Sequence, residues 1–197
     1  MKNVIKNINK RSYIFNFILG IAKILVGLFL HFYSFCISAM YNLMLGFSKY
    51  KAKKMKSNYT GLFIILSSLL YISYSVFIII KHLNAKYHMY IGILIAVVTF
   101  TEIGVAIYGI IKNKNNLKTK VEKQLNLCSA IIALSLTQQA LMSFTNPGKD
   151  ISLYVGIGGI VFSSITIIIG IVIQISLLKE YNQVRKDNES IINKSFT

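Results

Sequence analysis

A chain of 197 residues that is 54% hydrophobic and 14% charged, with a positive mean hydropathy, does not have the composition of a soluble domain, where about 25% charged residues is usual. Its net charge of +16 would suggest nucleic acid if gathered on one soluble face. The lysines instead fall between apolar runs, as in the loops of membrane proteins, and there is no basic–aromatic module, so no nucleic-acid partner is expected.

Residues 1–11 form a basic tail without an acid. From Tyr13 to Phe47 nearly every residue is apolar, and the exceptions fall on one line: Asn16, Gly20, Lys23, Gly27, His31, Ser34, Ser38 and Asn42, extended by Lys49. At about 100° per residue, these steps of four and three occupy one sector of a helix. No proline interrupts them, so residues 12–49 are expected to form one continuous, long amphipathic helix, on the order of 55 Å at about 1.5 Å per residue. A bilayer core is roughly 30 Å thick, so this helix lies in the membrane plane, tilts steeply, or crosses as a fifth span. The first two readings are preferred, because Lys23 and His31 then meet water or headgroups. The start of the chain superficially resembles a signal peptide. Its apolar run far exceeds the usual h-region of about 7–15 residues, so it is expected to be retained.

A basic loop, Lys49 to Lys56, leads to a span from Thr60 to Ile80 whose Ser67 or Ser68, Tyr71, Tyr74 and Ser75 mark a side facing other helices. After a polar link, Tyr87 and Tyr90 fit an interfacial aromatic belt, and Tyr90 to Ile111 is the next span. A second lysine-rich loop, 112–123, precedes the span Leu125 to Phe144. Asn146-Pro147-Gly148 signals a tight turn. The last span, Ile151 to Leu178, repeats the four-and-three spacing with Ser152, Gly156, Gly159, Ser163, Thr166, Gly170 and Gln174. Small residues such as Gly156, Gly159, Ser163 and Gly170 let helix backbones approach closely. The tail 179–197 is expected to be a solvated helix end, and residues 58–178 a single four-helix transmembrane domain. The fold class is thus an all-α integral membrane protein. Lysine bias puts loops 49–56 and 112–123 and the C-terminus in the cytoplasm, in a multi-pass plasma-membrane protein.

Glu102 is the sharpest chemical candidate. It sits near mid-span, where an ionisable group costs about 2.5–3.5 kcal/mol on insertion scales and so marks either helix pairing or proton and cation coupling. Gln138, Gln139 or a serine of the span Thr60 to Ile80 are candidate partners for it, since polar side chains in lipid bond across helices. Lys23, if its helix crosses, is another; His31 shares the face of Lys23. His31, His82 and His88 lack metal-site spacing, and Cys36 and Cys128 show neither CxxC nor paired spacing, so neither metal nor cofactor is expected. The glycines at 156–159 lie inside an apolar span without a following Lys-Ser/Thr, which argues against a phosphate loop. With no catalytic constellation, the chain is not expected to be an enzyme.

Thr99 to Lys112 (TFTEIGVAIYGIIK) and Leu125 to Phe144 (LNLCSAIIALSLTQQALMSF), followed by a turn and a glycine-rich span, resemble small, uncharacterised multi-pass proteins of low-GC Gram-positive bacteria. The resemblance covers the C-terminal half and implies class and source, with no activity to carry over. The expectation is an accessory or regulatory subunit that binds another membrane component. The alternative is a small oligomeric transporter or channel that uses Glu102. The partners expected are the lipid bilayer and either a membrane protein or a second copy.

Overall fold

The computed structural model describes residues 14, 16–18, 20–25, 27–28, 33–54, 59–84, 86–113 and 117–195. Helical residues between Ile14 and Leu28 are followed by five helices, α1 (Tyr33–Lys54), α2 (Thr60–Lys81), α3 (Met89–Lys112), α4 (Leu117–Thr145) and α5 (Ser152–Ser195). There is no strand among the described residues. Four helices are long and apolar enough to cross a membrane: α2, α3, Thr119–Thr145 of α4 and Ser152–Glu180 of α5. The architecture is all-α, as expected, and fits a polytopic membrane protein. The tail 1–11 and His31 lie outside the described residues.

Short connections make successive spans antiparallel. They gather the lysine-rich loops at one end of the bundle and the 82–88 and 146–151 connections at the other. The predicted loop at 112–123 is largely helix, because α4 starts at Leu117. α4 is the central helix, packing on α3, α5 and α1. Of its apolar window 56% is buried, against 17% for α3, the outermost span. Gly92, Thr99, Ala106 and Gly109 are the buried residues of α3. They recur at helical spacing and form its contact with α4, where Gly92 meets Phe144 and Gly109 meets Lys123.

The most extensive contact joins α2 to α5. The expected stripe on α5 makes it: Ser152, Gly156, Gly159, Ser163, Thr166 and Gly170 are all buried. Between apolar helices in lipid, association rests on close packing and hydrogen bonds rather than on expulsion of water. Small residues supply both. A Cβ at Gly61 of α2 would stand 2.5 Å from the Gly170 carbonyl oxygen and 2.7 Å from Gln174 Cβ.

The N-terminal stretch departs from a single continuous helix. A Cβ on Gly20 would lie 2.8 Å from Leu43 Cγ, and one on Gly46 would lie 3.3 Å from the Phe17 ring. Lys23 Nζ donates to Ser38 Oγ at 3.3 Å. Residues 20 and 43 of a straight helix would be about 35 Å apart at 1.5 Å per residue. The pairings 17 with 46, 20 with 43 and 23 with 38 are those of two antiparallel helical limbs. The striped face is therefore not the wet side of an in-plane helix. Asn16, Gly20, Gly27, Ser38 and Asn42 are buried, whereas Ile14, Ile18, Ile21, Leu25, Leu28 and Met40 are exposed. The limbs meet along their small and polar residues and turn their apolar sides outward, as lipid demands. Between α2 and α4, the α1 limb places Tyr41 and Leu45 in a core with Ile64, Leu125, Cys128 and Ile173.

Two outcomes follow from this packing. In a chain whose Cys36 and Cys128 are replaced by serine, the pair Gly20→Cys and Leu43→Cys should cross-link within one molecule on mild oxidation, read as a mobility shift on a non-reducing gel. The Cβ separation suits a disulfide, and a continuous helix would give no intramolecular product. Gly61→Ala should lower stability in detergent by about 1–3 kcal/mol, because backbone rather than a flexible side chain blocks the added methyl. Gly104→Ala, with nothing within 4 Å of the new Cβ, should change thermal unfolding by less than about 0.5 kcal/mol.

Candidate functional site

A folded backbone leaves polar side chains in lipid with few choices, and here they pair across helices. Ser68 of α2 and Thr166 of α5 exchange a hydrogen bond of 2.7 Å, and Tyr41 of α1 stands beside them next to Cys128. Ser129 Oγ donates to Asn42 Oδ1 at 2.7 Å, tying α4 to α1, and Thr137 Oγ1 donates to Thr99 Oγ1 at 3.2 Å, tying α4 to α3. Ser75 packs onto Gly159, with Ser135 close by. Each helix contributes at least one hydroxyl or amide to this chain of contacts, which runs through the bundle beside α4.

Glu102 lies on α3 at mid-span and is half-buried. The carboxyl acts electrostatically on Lys23 of the first limb, whose ammonium is hydrogen-bonded to Ser38. The antiparallel limbs bring Lys23 within electrostatic range of Glu102 without a fifth crossing. The expected glutamine partners of Glu102 lie elsewhere. Gln138 Nε2 donates to the Tyr154 carbonyl at 3.0 Å and packs against Gly158 of α5. Gln139 is buried and accepts from the Tyr87 hydroxyl at 3.4 Å. Tyr87 is thus turned inward, unlike the belt residue expected there. Tyr90, 75% exposed, occupies the belt position.

The lysine-poor end is closed by a cluster that no local sequence pattern assembles. His82 ends α2 with φ 50° and ψ 44°, a left-handed conformation uncommon for a residue with a side chain. Its Nδ1 meets Asp150 Oδ2 at 2.6 Å. Asp150 Oδ1 accepts from Asn84 Nδ2 at 3.0 Å and from the Ser152 amide at 2.9 Å, at the start of α5. Asn84 Oδ1 in turn accepts from the Ile151 amide at 3.1 Å. Bonds from Ser152, Asn84 and His82 hold the Asp150 carboxyl well below the usual carboxylate range. The signal that the sequence does carry is the isolation of Asp150, the sole acid of either lysine-poor connection.

Among the described residues there is no group of three or more His, Cys, Asp or Glu side chains that could hold a metal ion, and Cys36 and Cys128 are free. No family model, curated protein or solved structure matches this chain.

The electrostatic link between Lys23 and Glu102 has a measurable signature. If Glu102 offsets part of the burial cost of the Lys23 ammonium, Glu102→Gln should destabilise the protein in detergent, and less so when Lys23 is Met. The double substitution should recover part of the loss, with a coupling of about 0.5–3 kcal/mol in a double-mutant cycle read by thermal unfolding.

Proposed function

We propose that this chain is a non-enzymatic, multi-pass plasma-membrane protein that works by binding another membrane component along α3. The observation that carries this reading is the one-sided packing of α3. Its buried line, Gly92, Thr99, Ala106 and Gly109, faces α4, while Thr101, Gly104 and Tyr108 form an exposed line at helical spacing on another side. Where a Cβ on Gly104 would stand there is open space, which lets a second helix approach closely. In this reading the hydroxyl contacts set the shape of the bundle, and α3 presents it. The lysine-rich end faces the cytoplasm by the charge rule, and the source is a low-GC Gram-positive bacterium.

A second reading, a small oligomeric transporter that uses Glu102 for proton or cation coupling, is favoured by the electrostatic link between Glu102 and Lys23 at mid-span. Against it stands the density of the α2–α5 and α4–α5 seams, where Gly61, Gly158 and Gly159 have no room for a methyl.

A mild-detergent pull-down of the tagged chain from its native membrane, with quantitative mass spectrometry, should recover a stoichiometric partner. Gly104→Leu should lower that recovery about tenfold or more without changing thermal stability, as expected when a close helix contact is blocked. Recovery of the chain alone, with ion or proton flux in vesicles that Glu102→Gln abolishes, would establish the transport reading instead.

A further inference from the structure

We propose that the cavity at the lysine-poor end of the bundle binds a phosphate group, carried on the headgroup of an anionic lipid. This site is separate from the contact line on α3 and does not depend on it. The cavity measures about 310 Å³ and opens between the 82–88 and 146–151 connections. Small-molecule sites begin at about 300 Å³, so the space suits one headgroup.

The chemistry of the wall is that of an anion site. Lys86 comes from one connection and Lys149 from the other, and both line the cavity together with Asn84, Asn146 and Ser143. The one carboxylate on the wall, Asp150, is already engaged: His82, Asn84 and the Ser152 amide hold both its oxygens. The other acids of the chain are Glu102 at mid-span, Glu122, Glu180, Asp187 and Glu189, none of them in either connection. The Lys86 and Lys149 side chains, both exposed, form no ion pair with Asp150, whose oxygens are bonded to His82, Asn84 and Ser152, and the wall carries two ammonium groups against one carboxylate. Two ammonium groups match a phosphate mono- or diester through charge-assisted hydrogen bonds, while the Asn84 and Asn146 amides, bonded within the protein, shape the wall.

Two features keep the cavity in place. The Tyr87 amide donates to Ser143 Oγ at 2.8 Å, fixing one connection to the end of α4. The Asp150 cluster fixes both connections to α2 and α5. Gly148, with φ 80° and nothing within 4 Å of where a Cβ would stand, keeps the rim open. A lipid is the source best suited to this position. Tyr90 and Tyr154, 75% and 59% exposed at the same end of the bundle, are belt residues that set the headgroup level of a bilayer. Next to them, the exposed Leu153 and Met89 offer an apolar surface for acyl chains.

The test uses the full chain, delipidated in a neutral detergent, with thermal unfolding followed at rising concentrations of dihexanoyl phosphatidylglycerol, dihexanoyl phosphatidylcholine or inorganic phosphate. The expected result is a saturable rise in Tm with phosphatidylglycerol. Its apparent Kd should weaken about tenfold for each lysine removed by Lys86→Gln and Lys149→Gln, the size of one charge-assisted hydrogen bond. Lys112→Gln with Lys123→Gln, at the opposite end, should leave it unchanged. A saturable rise with inorganic phosphate, equally sensitive to Lys86 and Lys149, would keep the phosphate site and assign it to the free anion. Equal shifts with both lipids that survive Lys86→Gln with Lys149→Gln, or no saturable shift with any probe, would overturn the proposal. If the doubly substituted chain does not fold, titration of the unsubstituted chain in about 0.5 M salt replaces it. Screening must weaken the Kd there, and an unchanged Kd overturns the site.

Discussion

The constraint on which the rest of this structure depends is that lipid offers no hydrogen-bond partner to a polar group. A bundle with so many serines, threonines and amides in its spans must satisfy them internally. The arrangement does so for most of them by placing α4 at the centre and giving α1, α2, α3 and α5 a hydroxyl or amide contact with it or with each other. The Asn16 amide nitrogen and Tyr41 hydroxyl are buried without a hydrogen bond. Ser68 with Thr166, Ser129 with Asn42, and Thr137 with Thr99 each cross a different pair of helices. Such bonds are worth only about 0.6 kcal/mol each on average in membranes, so they do not hold the bundle by strength. They help to select which faces meet, because a rotation of either helix would separate these partners; the outward-facing Ser73, Thr101, Ser164 and Ser176 instead bond carbonyls of their own helices.

Close backbone approach follows from the same faces. Where α2 meets α5, Gly61 sits on the Gly170 carbonyl and Gly159 on Ser75, so the small residues that admit the hydroxyls also bring the backbones together. The interior that results is dense at the seams and polar in composition. Polarity inside a membrane bundle is often taken as the mark of a transport path. Here the polar atoms face each other across helix contacts, and the cavity lined by Lys86 and Lys149 lies at one end of the bundle.

Much of this is legible in the sequence, and the failures share one cause. The four spans, the buried stripe of α5, the inward side of α2 and the turn at 146–148 all rest on local periodicity or turn chemistry, which a single segment displays by itself. Continuity of residues 12–49 does not follow from the stripe. An antiparallel pair of limbs needs a small, polar face on each limb, and when the limbs are read in series the two faces look like one. The place of Tyr87 after a polar link points to the interface, and only the position of Gln139 two helices away turns it inward. Glutamines in later spans are the natural partners of Glu102 by residue type, but Gln138 bonds the Tyr154 carbonyl and Gln139 the Tyr87 hydroxyl instead. Likewise, the His82–Asp150 contact joins residues 68 apart, and no local pattern carries such a distance.

The antiparallel limbs also remove a conflict in the charge pattern. A single crossing by residues 12–49 would send the four basic residues of the tail to the side opposite the lysine-rich loops, against the usual bias. Asn16 and Phe17 instead lie beside Gly46, close in sequence to Lys51, Lys53 and Lys54 at the end of α1. The first described limb therefore runs from the lysine-rich end past Lys23 to Leu28, and α1 returns to the same end. Backbone at that depth is tolerated because both limbs are helical and satisfy their own amides. The cost that remains is one ammonium group within the apolar region, and Glu102 is placed to offset it. The single lysine of the first limb is held by Ser38 within the electrostatic reach of Glu102 on α3, so the segment that enters the bundle carries its charge to a polar partner before the chain returns.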